Sequence, residues 1–221
     1  MPQDDHQLEL IEKPARLKRA DALVQLDALI GQDLRPLADQ FDITVWKSGR
    51  KNKGWAGHVV ERYLGQSPNS DKAADFGDWE LKVVPLIAGA DGTLRPKESM
   101  AIAMFTAHEI EQQSMADSHF LEKLKRLVVV ARLYVDGQED SSLVLGVVPF
   151  DLSGPLYAAI EEDYEDIRWL VRNDGINAVH GGVGRFVQAR VKGGAGAGTG
   201  GHCMYARTQL VAYILGLTDT L

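Results

Sequence analysis

Apolar and polar residues alternate along this chain with two periods, one helical and one of two residues. Over residues 15–31 (ARLKRADALVQLDALIG), Leu17, Ala20, Val24 and Ala28 recur at helical spacing. Leu23 widens that stripe and Gly31 is placed to end the helix. A short second helix is expected over 34–41. In GWAGHVVERYLG (54–65), Ala56, Val59, Val60, Tyr63 and Leu64 fall at i, i+3, i+4, i+7 and i+8, a helical stripe closed by Gly65. Glu61 sits at the edge of that stripe, aimed along the core boundary toward a neighbouring sheet.

The second period marks strands. In DFGDWELKVVPL (75–86), Trp79, Leu81 and Val83 share one face, while Glu80 and Lys82 share the other. Strands are also expected at 100–105, 127–135 and 143–148, the second of them apolar enough to be covered on both faces. A helix over 156–171 is expected to carry its acid on the outside. RFVQARVK (185–192) alternates, with Phe186, Gln188, Arg190 and Lys192 opposite Val187, Ala189 and Val191. A glycine-rich loop and a closing helix over 204–217 complete the pattern. There is no internal repeat. Strands interleaved with helices predict an α/β fold, a mixed sheet flanked by helices.

Length adds that one domain suffices, since 221 residues can bury a sizeable core. No apolar run reaches the ~20 residues of a membrane span, and the amino terminus is polar and acidic, so a cytoplasmic location is expected. Cys203 is the only cysteine, which excludes an intrachain disulfide and a cysteine-rich zinc site. The formal net charge of -7 changes the picture less than its distribution does. Lys47, Arg50, Lys51 and Lys53 lie in a stretch without acid. From Gly175 to Thr218 there is no Asp or Glu, against Arg185, Arg190, Lys192 and Arg207. Such local patches can guide a polyanion onto an acidic body.

Most of the candidate chemistry is weak. Gly196-x-Gly198-x-x-Gly201 has the spacing of a dinucleotide fingerprint, but it stands near the end of the chain with no room for the next strand of a βαβ unit. HEIEQ (108–112) lacks the second histidine of a zinc-protease helix. Cys203 beside His202 has no orienting partner and reads as a buried thiol. The acidic start of the 75–86 segment is different. Phosphodiester hydrolysis needs a metal, an activated water and a cation against the transition-state charge. Carboxylates converging at a strand end can hold a hard ion such as Mg²⁺, and a lysine on the same face can stabilise hydroxide. Asp75, Glu80, Lys82 and Glu61 supply that set, with Asp78 a second candidate for the first acid; a half-exposed strand with an ion pair is the plainer alternative for the spacing alone.

The residues around this set narrow the choice. NKGWAGHVVERYLG, ADF and WELKVVPL, followed by DSHFLEKLKRLVVV, INAVHGGVGRFVQARVKG and CMYARTQLVAYILG, occur in the order found in the MutH family of DNA mismatch-repair endonucleases. The chain resembles that family, and the type II restriction endonucleases related to it, from about residue 15 to its end. The resemblance implies a PD-(D/E)xK core with a DNA-binding cleft between an N-terminal helical and catalytic lobe (about 1–100) and a C-terminal DNA-contacting lobe (about 101–221). It implies Glu61, Asp75, Glu80 and Lys82 as catalytic residues. Asp75 and Glu80, with the Leu81 carbonyl, would be the Mg²⁺ ligands. Lys53, Lys123, Arg190 and Tyr205 would contact DNA, the last two through its sequence and adenine methylation.

By the same resemblance the expected activity is Mg²⁺-dependent nicking of the unmethylated strand at hemimethylated GATC, by a monomer activated by a MutL-type protein. A restriction enzyme cutting both strands shares the catalytic set. A silent DNA-binding module is disfavoured because all four catalytic positions are filled. Two features depart from the family pattern: a shorter interval between Asp75 and Glu80, and a shorter loop, mostly glycine, before the last element.

Overall fold

The computed structural model describes residues 16–47, 50–66, 74–137, 141–192 and 201–220. In chain order the elements are α1 (Arg19–Asp27), α2 (Leu34–Gln40), β1 (Trp46–Lys47), β2 (Arg50–Lys51), α3 (Trp55–Tyr63), β3 (Glu80–Ala88), β4 (Leu94–Pro96) and β5 (Met100–Phe105). They continue with α4 (Ala107–Gln112), α5 (His119–Leu124), β6 (Arg126–Leu133), β7 (Val144–Asp151), α6 (Gly154–Asp174), β8 (Val187–Val191), β9 (His202–Ala206) and α7 (Thr208–Ile214). The fold is the mixed α/β arrangement that the two periods imply. A four-stranded sheet runs in the order β4-β3-β6-β7, with β3 and β6 parallel and the other pairs antiparallel. An antiparallel three-stranded sheet runs β5-β9-β8, and β1 and β2 form a small hairpin.

The alternation along β3 and β6 sorts their side chains between two cores. Leu81, Val128 and Val130 pack with Trp79, Trp55, Val59 and the N-terminal helices. Val84, Leu86, Leu127 and Val129 pack on the other side with α6, α7 and the inner face of the three-stranded sheet. Burial on both faces explains why β6 is almost continuously apolar. Trp79 and Leu81 thus face one core, and the opposite face of β3 begins with Glu80 and Lys82.

Three sequence expectations are corrected by packing. The buried stripe of α1 is Arg19, Ala22 and Leu26, continued by Leu29; Val24, on the anticipated stripe, is 74% exposed. Arg19 turns inward because the two terminal nitrogens of its guanidinium are matched, Nε being left without a partner among the described residues: Nη1 donates to both oxygens of Asp151 at 2.8 Å, and Nη2 to the Leu127 and Phe150 carbonyls at 2.8 and 3.0 Å. Four acceptors offset the desolvation of the charge, and the helix rotates to bring the larger Leu26 and Leu29 into the core. Second, residues 204–206 are not the start of the closing helix but the end of the strand β9, inserted between β5 and β8. Alternation of Cys203 and Tyr205 against Met204 and Ala206 is satisfied by ladders on both edges, and the helix starts only at Thr208. Third, the glycine-rich segment therefore joins two antiparallel strands rather than a strand and a helix, which removes the dinucleotide-binding context. Its residues 193–200 lie outside the described residues.

Among the described residues no helix is long and apolar enough to cross a membrane.

Candidate active site

The segment ahead of β3 is shaped by aromatic stacking. Phe76 and Trp79 lie with ring centroids 4.0 Å apart and planes 10° from parallel, and both are buried. The Trp79 indole N–H donates to the Leu17 carbonyl at 3.0 Å, tying the turn to the chain entering α1. Gly77 completes the turn at φ +90°, a conformation that glycine adopts without a Cβ penalty. The result is a tight return that brings Asp75 next to Glu80: the Asp75 backbone N–H donates to Glu80 Oε2 at 3.0 Å.

Glu80 is 1% exposed, an isolated-charge position unless it is paired. Two lysines pair it. Lys82 Nζ lies 2.5 Å from Glu80 Oε1. Lys123 Nζ lies 3.1 and 3.3 Å from the two oxygens, and 3.9 Å from Asp75 Oδ1. Lys123 is delivered by α5, whose Ser118 cap accepts from the Leu121 N–H at 3.2 Å and whose Phe120 and Leu124 are buried. Burial, and then the neighbouring Glu80 charge, push the Asp75 carboxyl up to about 6, against the opposing pull of Lys82 and Lys123; Glu61 adds a further upward push.

These groups open on a cavity of about 620 Å³. One wall is α3 with its preceding turn, carrying Lys53, His58 and Glu61; the floor is the start of β3; the far wall is β5 with Cys203 of β9. Glu61, Asp75, Glu80, Leu81, Lys82, Lys53 and Lys123 all line this one space. Asp78 does not: it is 65% exposed and paired with the Arg126 guanidinium. Arg190 and Tyr205 are also outside the lining. They pair with each other, the Arg190 guanidinium 4.3 Å from the Tyr205 ring centroid. The β8–β9 register places them on the sheet face that presents Cys203 and Lys192 to the cavity.

Sequence reasoning did not select His119, Lys192 or Arg132, which also line the cavity. Lys192 carried a legible signal, standing in phase with Arg190 on an alternating strand. Arg132 carried none, being one charge inside an apolar run. The Cys203 thiol is 1% exposed and is pushed up by burial, so it is the buried thiol expected.

The donor set suits a hard cation. Two carboxylates meet at the cavity floor, and the crowding of acid that raises Asp75 would be relieved by a divalent ion. Among the described residues no three His, Cys, Asp or Glu side chains converge closely enough to hold a metal by themselves. An ion here would therefore need backbone or water oxygens beside the two carboxylates.

The model of the family described as DNA mismatch repair enzyme MutH matches residues 64–153. A DNA mismatch repair protein MutH from Vibrio cholerae serotype O1 (strain O395) is 26% identical over 222 residues, covering 92% of this chain and 97% of that protein. The MutH of Vibrio cholerae strain M66-2 is 28% identical over 225 residues, with the same coverage. Another MutH, from Shewanella sp. (strain MR-7), is 25% identical over 179 residues, 78% of this chain and 77% of that one. Among solved structures, the restriction endonuclease MvaI–cognate DNA substrate complex covers 81% of this chain and 95% of that chain at 11% identity and a TM-score of 0.37, a likeness too loose to establish a shared fold. The chain is thus similar to the MutH proteins along most of its length, with the model of that family matching its residues 64–153.

Proposed function

We propose that this chain is a divalent-metal-dependent DNA endonuclease of the MutH type. The observation that carries the reading is the buried Glu80 carboxylate, held between two ammonium groups beside an acid-crowded Asp75 at the floor of an open cavity. A structural ion pair needs neither the second lysine nor the unfavourable second acid. A metal-dependent phosphodiesterase site uses paired acids to hold the ion and a cation to meet the phosphate. Asp75 and Glu80, with the Leu81 carbonyl, would hold the ion, and Mg²⁺ is the ion proposed. When bound, it supplies polarisation of the phosphate and an acidified water.

The chain's own groups do the rest. Lys82, locked on Glu80, presents a positive charge where negative charge builds on the attacking oxygen. Lys123 exchanges its contact with Glu80 for the phosphate. Glu61, on the opposite wall, orients the water from the side of α3. Lys53 neutralises a flanking phosphate, while Arg190 and Tyr205, on the three-stranded sheet, face the base edges. In this reading the whole chain is one endonuclease domain, with about residues 1–100 supplying most of the catalytic groups and about 101–221, which also carry Lys123 and the strands β6 and β7 beside β3, supplying most of the DNA contacts. It acts as a monomer in the cytoplasm, nicking the unmethylated strand of hemimethylated GATC when a MutL-type protein engages it.

The test is incubation with hemimethylated, unmethylated and fully methylated GATC duplexes plus Mg²⁺, with and without a MutL-type protein. The expected result is a single-strand nick in the first two duplexes, stimulated by the partner. Cutting of both strands without the partner would assign the chain to the restriction enzymes instead. Cleavage of no duplex under any condition would sink the nuclease reading and leave a DNA-binding module.

A further inference from the structure

The acid of α6 is mostly outside, as its pattern predicts, but Asp163 is an exception at 5% exposure. Its carboxylate meets three consecutive backbone N–H groups. Oδ1 accepts from Arg185 at 2.6 Å, and Oδ2 accepts from Phe186 and Val187 at 2.6 and 2.8 Å. Successive amides curled around an anion form a nest, and here the anion belongs to the chain itself. The curl depends on Gly184 at φ +82°, where a Cβ would lie 2.1 Å from the Val187 carbonyl oxygen. Arg207 holds the same turn by its carbonyls. Nη2 donates to Gly181 and Val183 at 2.7 and 3.1 Å, and the Arg207 backbone N–H donates to the Phe186 carbonyl at 2.8 Å.

What the clamp holds is the first residue of β8. That strand has five residues and lies at the edge of its sheet, so a single ladder secures it. Its core face offers only Val187 and Ala189 as buried side chains, a weak determinant of register. Slipping a strand by one residue turns every side chain to the other face. Anchoring Val187 at its backbone therefore decides that Gln188 and Arg190 look toward Tyr205 and the cavity side. Gln188 reinforces the choice, its Nε2 donating to Ser99 Oγ at 3.0 Å just ahead of β5.

We propose that Asp163 is a positioning residue for DNA recognition, acting through Arg190 and Tyr205 by pinning the start of β8. This rests on the reading of that sheet face as DNA-contacting. The experiment measures equilibrium binding, without added metal, of a fluorescent duplex carrying hemimethylated GATC and of the same duplex with the site scrambled. Hydrogen exchange of the β8 and β9 amides is followed in parallel. Asp163→Asn, which keeps the shape but replaces one acceptor oxygen by an NH₂ facing a backbone N–H, and Gly184→Ala, which strains the turn from its other side, are compared with the wild type.

The preference for the intact site is expected to fall about fivefold or more in both variants, with affinity for the scrambled duplex unchanged. Faster exchange is expected at 187–191 and 202–206 but not in β3 or β6. In an Arg190→Ala background, Asp163→Asn should cost no further preference, because the two act in series. Retained preference in both variants, an equal loss of affinity for both duplexes, or full additivity with Arg190→Ala would each overturn the inference. A wild-type protein with no preference at all would overturn the base-reading role of Arg190 and Tyr205 on which the inference stands.

Discussion

Lys123 Nζ lies within 3.1 and 3.3 Å of the two carboxylate oxygens of Glu80, although 43 residues separate them in the chain. The ammonium occupies space beside the oxygens that a metal would also seek, so it competes with the ion for Glu80. Lys123→Met is therefore expected to act in two directions. Divalent binding, followed by calorimetry with Mn²⁺, should tighten several-fold, while cleavage should fall at least about tenfold for want of a cation at the phosphate. Weakened or unchanged metal binding would show that Lys123 supports the site instead of competing for it.

Glu80 itself is expected to matter more to cleavage than to stability. Glu80→Gln leaves two lysines facing a neutral amide in a partly buried site. Both ammonium groups can swing toward the cavity, so the cost in stability is expected to be about 1–3 kcal/mol, below that of a fully enclosed broken pair. Cleavage should drop by at least about a thousandfold, and Lys82→Met should lose as much while remaining folded by circular dichroism. Near-normal turnover in either variant would remove these residues from the reaction.

Asp75 carries a cost that pH exposes. Its carboxyl titrates at about 6 in the fold against 3.8 in the unfolded chain, raised by burial and by Glu80. The folded state therefore holds the proton more tightly, and stability is lost as pH rises through this window. Above pH 6 the ionised carboxylate destabilises the metal-free protein by on the order of 1 kcal/mol after solvent screening. Asp75→Asn should raise the melting temperature at pH 7 and make little difference near pH 4, while abolishing cleavage. A variant that melts lower at pH 7 would contradict the crowding described here.

Arg19 makes a structural prediction. Replacing it with Met keeps the apolar stem and removes four hydrogen bonds, two of them to the Leu127 and Phe150 carbonyls of β6 and β7. A loss of about 2–4 kcal/mol is expected in urea titration. Asp151→Asn should cost less, because Asp151 is 64% exposed and its amide oxygen can still accept.

Much of the fold was legible because period alone dictated it. The stripe of α3, the doubly covered β6 and the two faces of β3 follow from spacing, since a half-buried element must separate its apolar side chains from the rest. β9 was not legible in the same way. Its last three residues, 204–206, run into a helical pattern and are read as helix until two neighbouring edges supply the ladders. α1 failed for a related reason: a charged residue on its buried face is invisible to a hydrophobic pattern when its partners lie more than 100 residues away.

The candidate site divides along the same line. The residues of the chain determined, by alternation, that Glu80 and Lys82 share a strand face, and, by the order of the surrounding segments, that the chain resembles MutH. The resemblance favoured Asp75 over Asp78, but only tertiary structure gave the reason it turns toward that face: the Phe76–Trp79 stack bends the chain and Arg126 draws Asp78 outward. Tertiary structure alone also set Lys123 against Glu80 and Asp163 beneath the turn into β8. Local spacing reports which residues share an element's face. The meeting of charges from separate elements is fixed by packing, where each buried charge must find its partners wherever the fold brings them.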